Sequence, residues 1–412
     1  MSTPSPSAPV PSRARGRLAV VLAGTALAAV TLAACSSSGG DASGNPSSTT
    51  SGGTATKAAG NSRVATVTVT QANGCTSDRQ TLAAGAITFK VTNKDAAGVT
   101  EVELLAGQRI LGEKENLPPG FSGEFSVNVT AGTYQLYCPG ATPEKRPLTV
   151  TGKAAGTGDT TVAALLAQGT KGYGNYINTQ VTALVAAVAK FDTALHGTDL
   201  TAAQKAYIAA RPFYERIEPV AESFVIGKDS VDADIDIRAG DVPASQWRGF
   251  HRIEKSLFQQ KTLKGMGDYG DKLVADVKRL QGLTKNLTYK PTELANGAQG
   301  LLDEVAASKI TGEEERYSRV DLLDFAGNVE GAEQAFAQLQ PALDKIDATL
   351  GKTITQRFTA LSTLLDKYKT DANPSGYKLY NDLTAADKRG FAAAVKAVQE
   401  PLAKVSSKVA NA

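Results

Sequence analysis

Residues 160–195 read TTVAALLAQGTKGYGNYINTQVTALVAAVAKFDTAL, a long alanine-rich stretch with helical spacing. The chain keeps that spacing from here to its end. Residues 201–224 (TAAQKAYIAARPFYERIEPVAESF) open with Thr201 and Gln204 in capping-box spacing. Further helical runs follow at 245–258, 271–287, 291–308, 317–343, 353–368 and 384–405. Short connections between helices predict an all-α bundle.

Upstream the period changes from 3.6 to two. Between Arg63 and Thr151 lie VATVTVT, AITFKVTN, TEVELLA, GEFSVNVT, GTYQLYC and RPLTV, rich in Val, Thr, Phe and Tyr. Turn signals at Asn73-Gly74, Ala84-Gly85, Pro118-Pro119-Gly120 and Ala131-Gly132 separate them. Six or seven short strands predict a small antiparallel sandwich over residues 63–152. GKAAGTGDT, residues 152–160, marks the boundary, and the helical domain is expected over 158–412.

The N-terminus reads as a targeting segment. A basic run with Arg13, Arg15 and Arg17 leads into LAVVLAGTALAAVTLAAC, whose tail Leu32-Ala33-Ala34-Cys35 has the form of a lipobox. Residues 1–34 are expected to be a lipoprotein signal peptide and Cys35 the lipid-bearing residue, tethering the chain outside the cell membrane. Residues 35–62 are a flexible Ser/Gly linker. No other stretch approaches the ~18 apolar residues a spanning helix needs. Three of the 44 basic residues precede the cleavage site, leaving 41 against 41 acids. A neutral chain argues against nucleic acid as a partner, which needs a basic footprint.

With three cysteines, two histidines and one tryptophan, each can be weighed singly. Cys75 follows the first strand and Cys138 ends a late one. They are either a disulfide, as in many secreted proteins, or two thiolate ligands. Glu101 and Glu103, two apart on a strand, share a face and could join the thiolates. Residues 63–151 hold neither His nor Met, so a blue-copper site is excluded.

In the bundle, RPFYERIEPVAESF places Glu215, Glu218 and Glu222 at helical spacing on one face, with Pro219 expected to kink the run. Like charges so arranged need solvent, cationic neighbours or a metal. His251 and Glu254, in His-x-x-Glu spacing beside Trp247, project together and can share a cation. His196 reads as a helix C-terminal cap. Asp232, Asp234 and Asp236 alternate like the start of a calcium loop. Ile237 and Pro243 stand where that loop needs Gly and Glu, so it is not one. GEEERYS, residues 312–318, reads as a solvated helix start. There is no phosphate loop, H-E-x-x-H or G-x-S-x-G motif.

RPFYERIEPVAESF, GFHRIEKSLF, NGAQGLLDEVAASKITGEEERYS and the lipobox together resemble the EfeO family, the extracytoplasmic components of EfeUOB iron-uptake systems. The resemblance covers nearly all of the chain from Arg63 onward. It implies an N-terminal cupredoxin-like sandwich followed by an imelysin-like helical bundle. It also implies a non-catalytic protein recruiting iron, with an EfeU-type permease and an EfeB-type haem peroxidase as partners. Carried over by position, the bundle ligands are Glu215, Glu218, Asp232, His251, Glu254 and Glu314; Asp234 is close enough to Asp232 to compete for its place. The sandwich ligands are Cys75, Cys138, Glu101 and Glu103, for copper or iron. Ala106 stands where some relatives carry an acid. Carboxylates with one imidazole suit iron, whereas thiolates would favour copper. The alternatives are a metallopeptidase, since the imelysin-like family has been classed with peptidases, and a polysaccharide-binding module. The latter sits poorly with 6% aromatic residues.

Overall fold

The structure is a computed structural model that describes residues 62–99, 101–114, 117–153, 160–226, 229–307 and 309–412. The expected signal peptide, Cys35 and the linker up to residue 61 lie outside the described residues.

Alternation builds the first part. Strand β1 (Val64–Thr70) buries Ala65, Val67 and Val69 and turns its threonines away; β4 (Gly85–Asn93) does the same with Ile87, Phe89 and Val91. The remaining strands are β2 (Gly74–Ser77), β3 (Thr81–Ala83), β5 (Val102–Ala106), β6 (Arg109–Lys114), β7 (Ser122–Val129), β8 (Gly132–Tyr137) and β9 (Lys145–Thr151). They form a four-stranded sheet, β2-β1-β4-β7, and a five-stranded one, β3-β9-β8-β5-β6. The expected antiparallel sandwich of six or seven strands is therefore corrected to nine strands with two parallel pairings, β1 with β4 and β3 with β9. Phe89 and Phe125 stack in the core at 5.0 Å between ring centroids.

Cys75 of β2 and Cys138, just after β8, are joined as a disulfide that ties one sheet to the other. Both sulfurs sit in the inner core. Glu103 lies on the opposite face of the five-stranded sheet, directly across from Tyr137. The expected ligand set of two thiolates and two glutamates is thus corrected: the sulfurs are bonded to each other and face away from Glu103.

The helical part comprises α1 (Thr160–Leu195), α2 (Leu200–Glu215), α3 (Glu218–Glu222), α4 (Asp232–Ile235), α5 (Phe250–Glu254), α6 (Gly267–Thr284), α7 (Pro291–Ala307), α8 (Asp321–Asp366), α9 (Ala385–Leu402) and α10 (Val405–Ala410). Helix α8 breaks at Asp347, where φ is −156° and ψ is 79°. The N-cap of α2 is Asp199, whose carboxylate accepts from Thr201 N and Ala202 N, so the helix begins one residue before the expected Thr201 cap. A shared apolar core runs through α1, α2, α6, α7 and α8. Ion pairs and hydrogen bonds join the two parts: Arg109 to Glu293 at 3.0 Å, Lys290 Nζ to Asn128 O at 2.7 Å, and Ser406 Oγ to Ser126 O at 2.9 Å. Among the described residues, no helix is long and apolar enough to cross a membrane.

Candidate metal centre

The run around Pro219 does not bend as one helix; it breaks. Helix α2 stops at Glu215, Ile217 takes a non-helical φ of −131°, and α3 restarts at Glu218 with Pro219 in its first turn. A proline has no N–H to lose in a first turn, so the break removes the conflict. It also lets Glu215 and Glu218 reach inward from two helices. Gly327 of α8 makes room: a Cβ there would lie 2.7 Å from Glu215 Cβ. Glu222, at the end of α3, is half-buried.

His251 and Glu254 lie on the single turn α5, which continues as a π-turn over Lys255–Gln260. Gly249 starts it with φ +82°, and its bare Cα lets the chain pass where a Cβ would lie 2.1 Å from Ile235 O. That close approach brings His251 against the end of α4. His251 is 2% exposed and Glu254 fully buried. Glu254 Oε1 accepts the backbone N–H groups of Tyr317 and Ser318, both at 2.7 Å. Glu254 Oε2 lies 3.4 Å from His251 Nδ1. The glutamate thus orients the imidazole and anchors it to the segment before α8.

The other nitrogen, His251 Nε2, faces Asp236 Oδ2 and Glu314 Oε1, each at 3.4 Å. It accepts or donates no hydrogen bond. One donor atom each from Asp236, His251 and Glu314 falls within a 4.8 Å span, as do single oxygens from Glu215, Glu314 and Asp324, and from Glu218, Asp232 and Asp236. Glu314 and Asp236 belong to both the imidazole group and a carboxylate group, so these are facets of one cluster.

Two buried cations hold the carboxylates together. Arg211 donates to Asp236 and Glu215, to Asp324 at 2.8 and 3.0 Å, and to Glu314 at 3.2 Å, and lies 3.1 Å from Glu315. Lys309 Nζ lies 2.9 Å from both Glu215 Oε2 and Glu314 Oε1. Arg238, at the rim, donates to Glu314 and, at 2.6 Å, to Glu304. Burial alone would raise Glu314, but Arg238 and Lys309, with His251, hold it well below the usual carboxylate range. Asp236 is likewise held down to about 2 against burial by Arg211 and His251. Burial prevails at Glu218 and Asp324, raised well above that range; Asp232 rises to about 7 and Glu315 to about 8. Burial would lower His251, yet the negative charge of Asp236, with Glu254 and Glu314 close by, raises it well above the ordinary imidazole value.

Of the expected bundle ligands, Glu215, Glu218, His251, Glu254 and Glu314 converge. Asp232 lies at the edge, accepting the Tyr214 hydroxyl and sharing a facet with Glu218 and Asp236. Asp234 points elsewhere, to Arg248 and Arg279. Asp236 is the aspartate that meets the imidazole, and sequence reading passed over it although it lies in the same alternating run. Arg211, Lys309 and Asp324 were also missed. The expected solvated start at GEEERYS is corrected: Glu314 and Glu315 are buried because Arg211, Arg238 and Lys309 supply their countercharge. His196 follows the last residue of α1, as expected of a C-terminal cap, with its backbone N–H donating to Asp192 O at 3.1 Å and its ring near Asp192 and Asp271.

A cavity of about 130 Å³, lined by Arg238, His251, Glu254, Glu314 and Tyr317, opens onto the imidazole side of the cluster. A larger cavity of about 510 Å³, lined by Glu113, Lys114, Asp303, Lys404 and Lys408, sits at the junction of sandwich and bundle, away from His251.

On the sandwich, Glu103 of β5 stands opposite Glu113 of β6 and is 3% exposed, with Oε2 accepting no hydrogen bond. Burial, then Glu113 and Glu101, raises Glu103 to about 10; burial, then Glu101 and Asp303, raises Glu113 to about 8. Glu101 is raised by burial and by Glu304 of α7.

The class of protein is thus a helical bundle that follows a β-domain and buries a carboxylate cluster around one oriented imidazole, a donor set that could hold a metal ion. The sequence model of the Imelysin family, which carries a peptidase-family name, matches residues 169–405. An Escherichia coli O157:H7 protein named iron uptake system component EfeO is 37% identical over 326 residues, 79% of this chain and 86% of the relative. One of the same name from Yersinia pestis is 38% identical over 330 residues, with the same coverage. The chain belongs to the EfeO family, with an imelysin domain as its helical part.

Proposed function

We propose that this protein is a lipid-anchored, extracytoplasmic component of an iron-uptake system that binds iron in the bundle and passes it to an EfeU-type permease, with an EfeB-type haem peroxidase as second partner. One observation carries the reading. His251 Nε2 is buried without a hydrogen bond, 3.4 Å from two carboxylates, and its ring is fixed from the far side by Glu254. An imidazole oriented through its other nitrogen and aimed at carboxylates is the arrangement a metal ligand needs. Oxygen donors with one nitrogen suit iron among the transition metals. His251, Asp236, Glu314, Glu215 and Glu218 would supply the donors, and the cavity beside Arg238 and Tyr317 the entry.

The sandwich, read as cupredoxin-like, carries a second acidic site at Glu101 and Glu103, to which Glu113 is added. With Cys75 and Cys138 bonded to each other, the ground for copper disappears and a hard cation such as iron is favoured. Function here is binding and release, without turnover.

The test is metal content and affinity of the purified protein for iron(II) and iron(III). Wild type should bind with a stoichiometry that drops when His251→Ala or Asp236→Asn is introduced. Equal binding by wild type and both variants would sink the bundle site. For the anchor, Cys35→Ser should leave the precursor unprocessed or the protein released; normal processing and retention would refute it.

A further inference from the structure

Lys309 stands at a point where three carboxylates converge. Its fully buried ammonium is 2.9 Å from Glu215 Oε2, 2.9 Å from Glu314 Oε1 and 3.5 Å from Glu218 Oε2. These oxygens come from the end of α2, the start of α3 and the segment before α8, one from each. A compact positive charge among three oxygens from separate elements is the arrangement of an ion site, here filled by a side chain. The hold is one of charge more than direction, because Glu215 Oε2 accepts no hydrogen bond even with Nζ at that distance.

The neighbouring cation is built differently. Arg211 spreads its rigid fork over Asp236, Glu215, Asp324 and Glu314, and its guanidinium lies 5.1 Å from the Phe250 ring centre. Moving it would break every one of those contacts. Lys309 is a point charge on a flexible four-carbon stem. It leads the short 3₁₀ turn Lys309–Thr311, which ends at Gly312 with φ +79°. Glu314 follows on the same connection.

An ion bound by Glu215 and Glu314 would sit about 2.1 Å from their oxygens, within a few ångströms of Nζ. Two cations that close in a buried site repel strongly. We propose that Lys309 is a built-in competitor for iron: its ammonium and the metal claim the same oxygens of Glu215, Glu218 and Glu314, so loading expels Lys309 and its return assists release. This rests on the bundle reading above. A protein that hands its cargo onward has to let go as well as bind, and an internal cation limits affinity without weakening any ligand.

The test uses the purified mature protein, with iron(II) added anaerobically and iron(III) added as its nitrilotriacetate complex. Lysine acylation followed by mass spectrometry should find Lys309 protected before loading and several-fold more reactive after it, while Lys396 on the surface of α9 stays constant. A merely structural lysine would remain as protected or become more so, and that result overturns the proposal. Lys309→Met should bind iron more tightly than wild type, by about tenfold or more, with slower release to a chelator. Unchanged or weaker binding by Lys309→Met overturns it as well. His251→Ala separates the two readings. If wild type binds iron in a His251-dependent way and Lys309 stays protected, only the competitor is wrong. If neither wild type nor Lys309→Met binds iron, the bundle reading falls and the competitor with it. Binding by Lys309→Met alone would mean that iron never displaces Lys309 in the wild type, and that result overturns the proposal too.

Discussion

His251 Nε2 lies 3.4 Å from Asp236 Oδ2, and the two come from turns held together by Gly249, whose bare Cα passes Ile235 O. This pairing favours the protonated imidazole. Burial works against the proton, but the charge of Asp236, with Glu254 and Glu314 close by, outweighs it and raises His251 well above the ordinary imidazole value. A metal can use only the neutral ring, so loading must displace that proton. Affinity for iron should therefore climb as pH rises from about 6 to about 9. Calorimetry in two buffers of different ionisation enthalpy should register at least about one proton released per ion near neutrality. No release, together with pH-independent affinity, would remove His251 from the ligand set.

Arg211 should matter most to stability. It is fully buried, and Arg211→Met leaves Asp236, Glu215 and Asp324 without their main cation. Removing one partner of a buried ionic network typically costs about 3–5 kcal/mol. Urea unfolding should show a loss of that order. Arg279→Met, which removes a partly exposed pair with Asp234, should cost no more than about 1 kcal/mol. A small effect for Arg211→Met would mean that Lys309 and protonation already balance the cluster.

The reach of sequence reading is clearest at this cluster. Glu215, Glu218, His251 and Glu254 were legible because short spacings put them together before any fold is known, and the family resemblance added Glu314. Asp236 was not, because its role depends on how a four-residue helix sits against Gly249, and that is tertiary. Arg211 and Lys309 were hidden for another reason: a lone basic residue in a helical run ordinarily faces solvent, and nothing local marks these two as buried. Pro219 reads from its spacing as a kink, whereas in the fold it marks the restart of a helix. In the sandwich, alternation made the strands visible. The parallel pairing of β1 with β4 is set by crossing connections, which no local period encodes.

Stability without added metal should fall as pH rises. Asp232 at about 7, Glu315 and Glu113 at about 8, and Glu218 and Asp324 all sit above their unfolded values near ~4, mainly through burial. The folded state then binds more protons than the unfolded one, so stability present at low pH is lost as pH climbs through the folded values. Asp236 at about 2 and Glu314 act in the opposite sense: their contribution is present above ~4 and is lost as pH falls through their lowered values. The two windows do not overlap. The melting temperature of iron-free protein should peak near about pH 5 and decline toward about pH 9, with a shallower decline in Glu315→Gln. A flat or rising alkaline limb would contradict the raised carboxylates.

The disulfide separates the two parts of the chain experimentally. Cys75 and Cys138 are 63 residues apart, and a bridge of that span stabilises by about 4 kcal/mol on the chain-entropy model. Both sulfurs lie in the sandwich core, while the bundle cluster has its own apolar core. Cys75→Ser combined with Cys138→Ser should therefore loosen the sandwich, seen as an earlier unfolding step or a lower melting temperature. Iron binding that depends on His251 should persist. In the wild type, a thiol probe added to unfolded, unreduced mature protein should label neither cysteine, and both should react after reduction. If the thiols react without reductant and iron protects them, the pair is a ligand set after all. Glu103 would then have to change sheet face to join it, since β5 now turns that side chain away from the sulfurs.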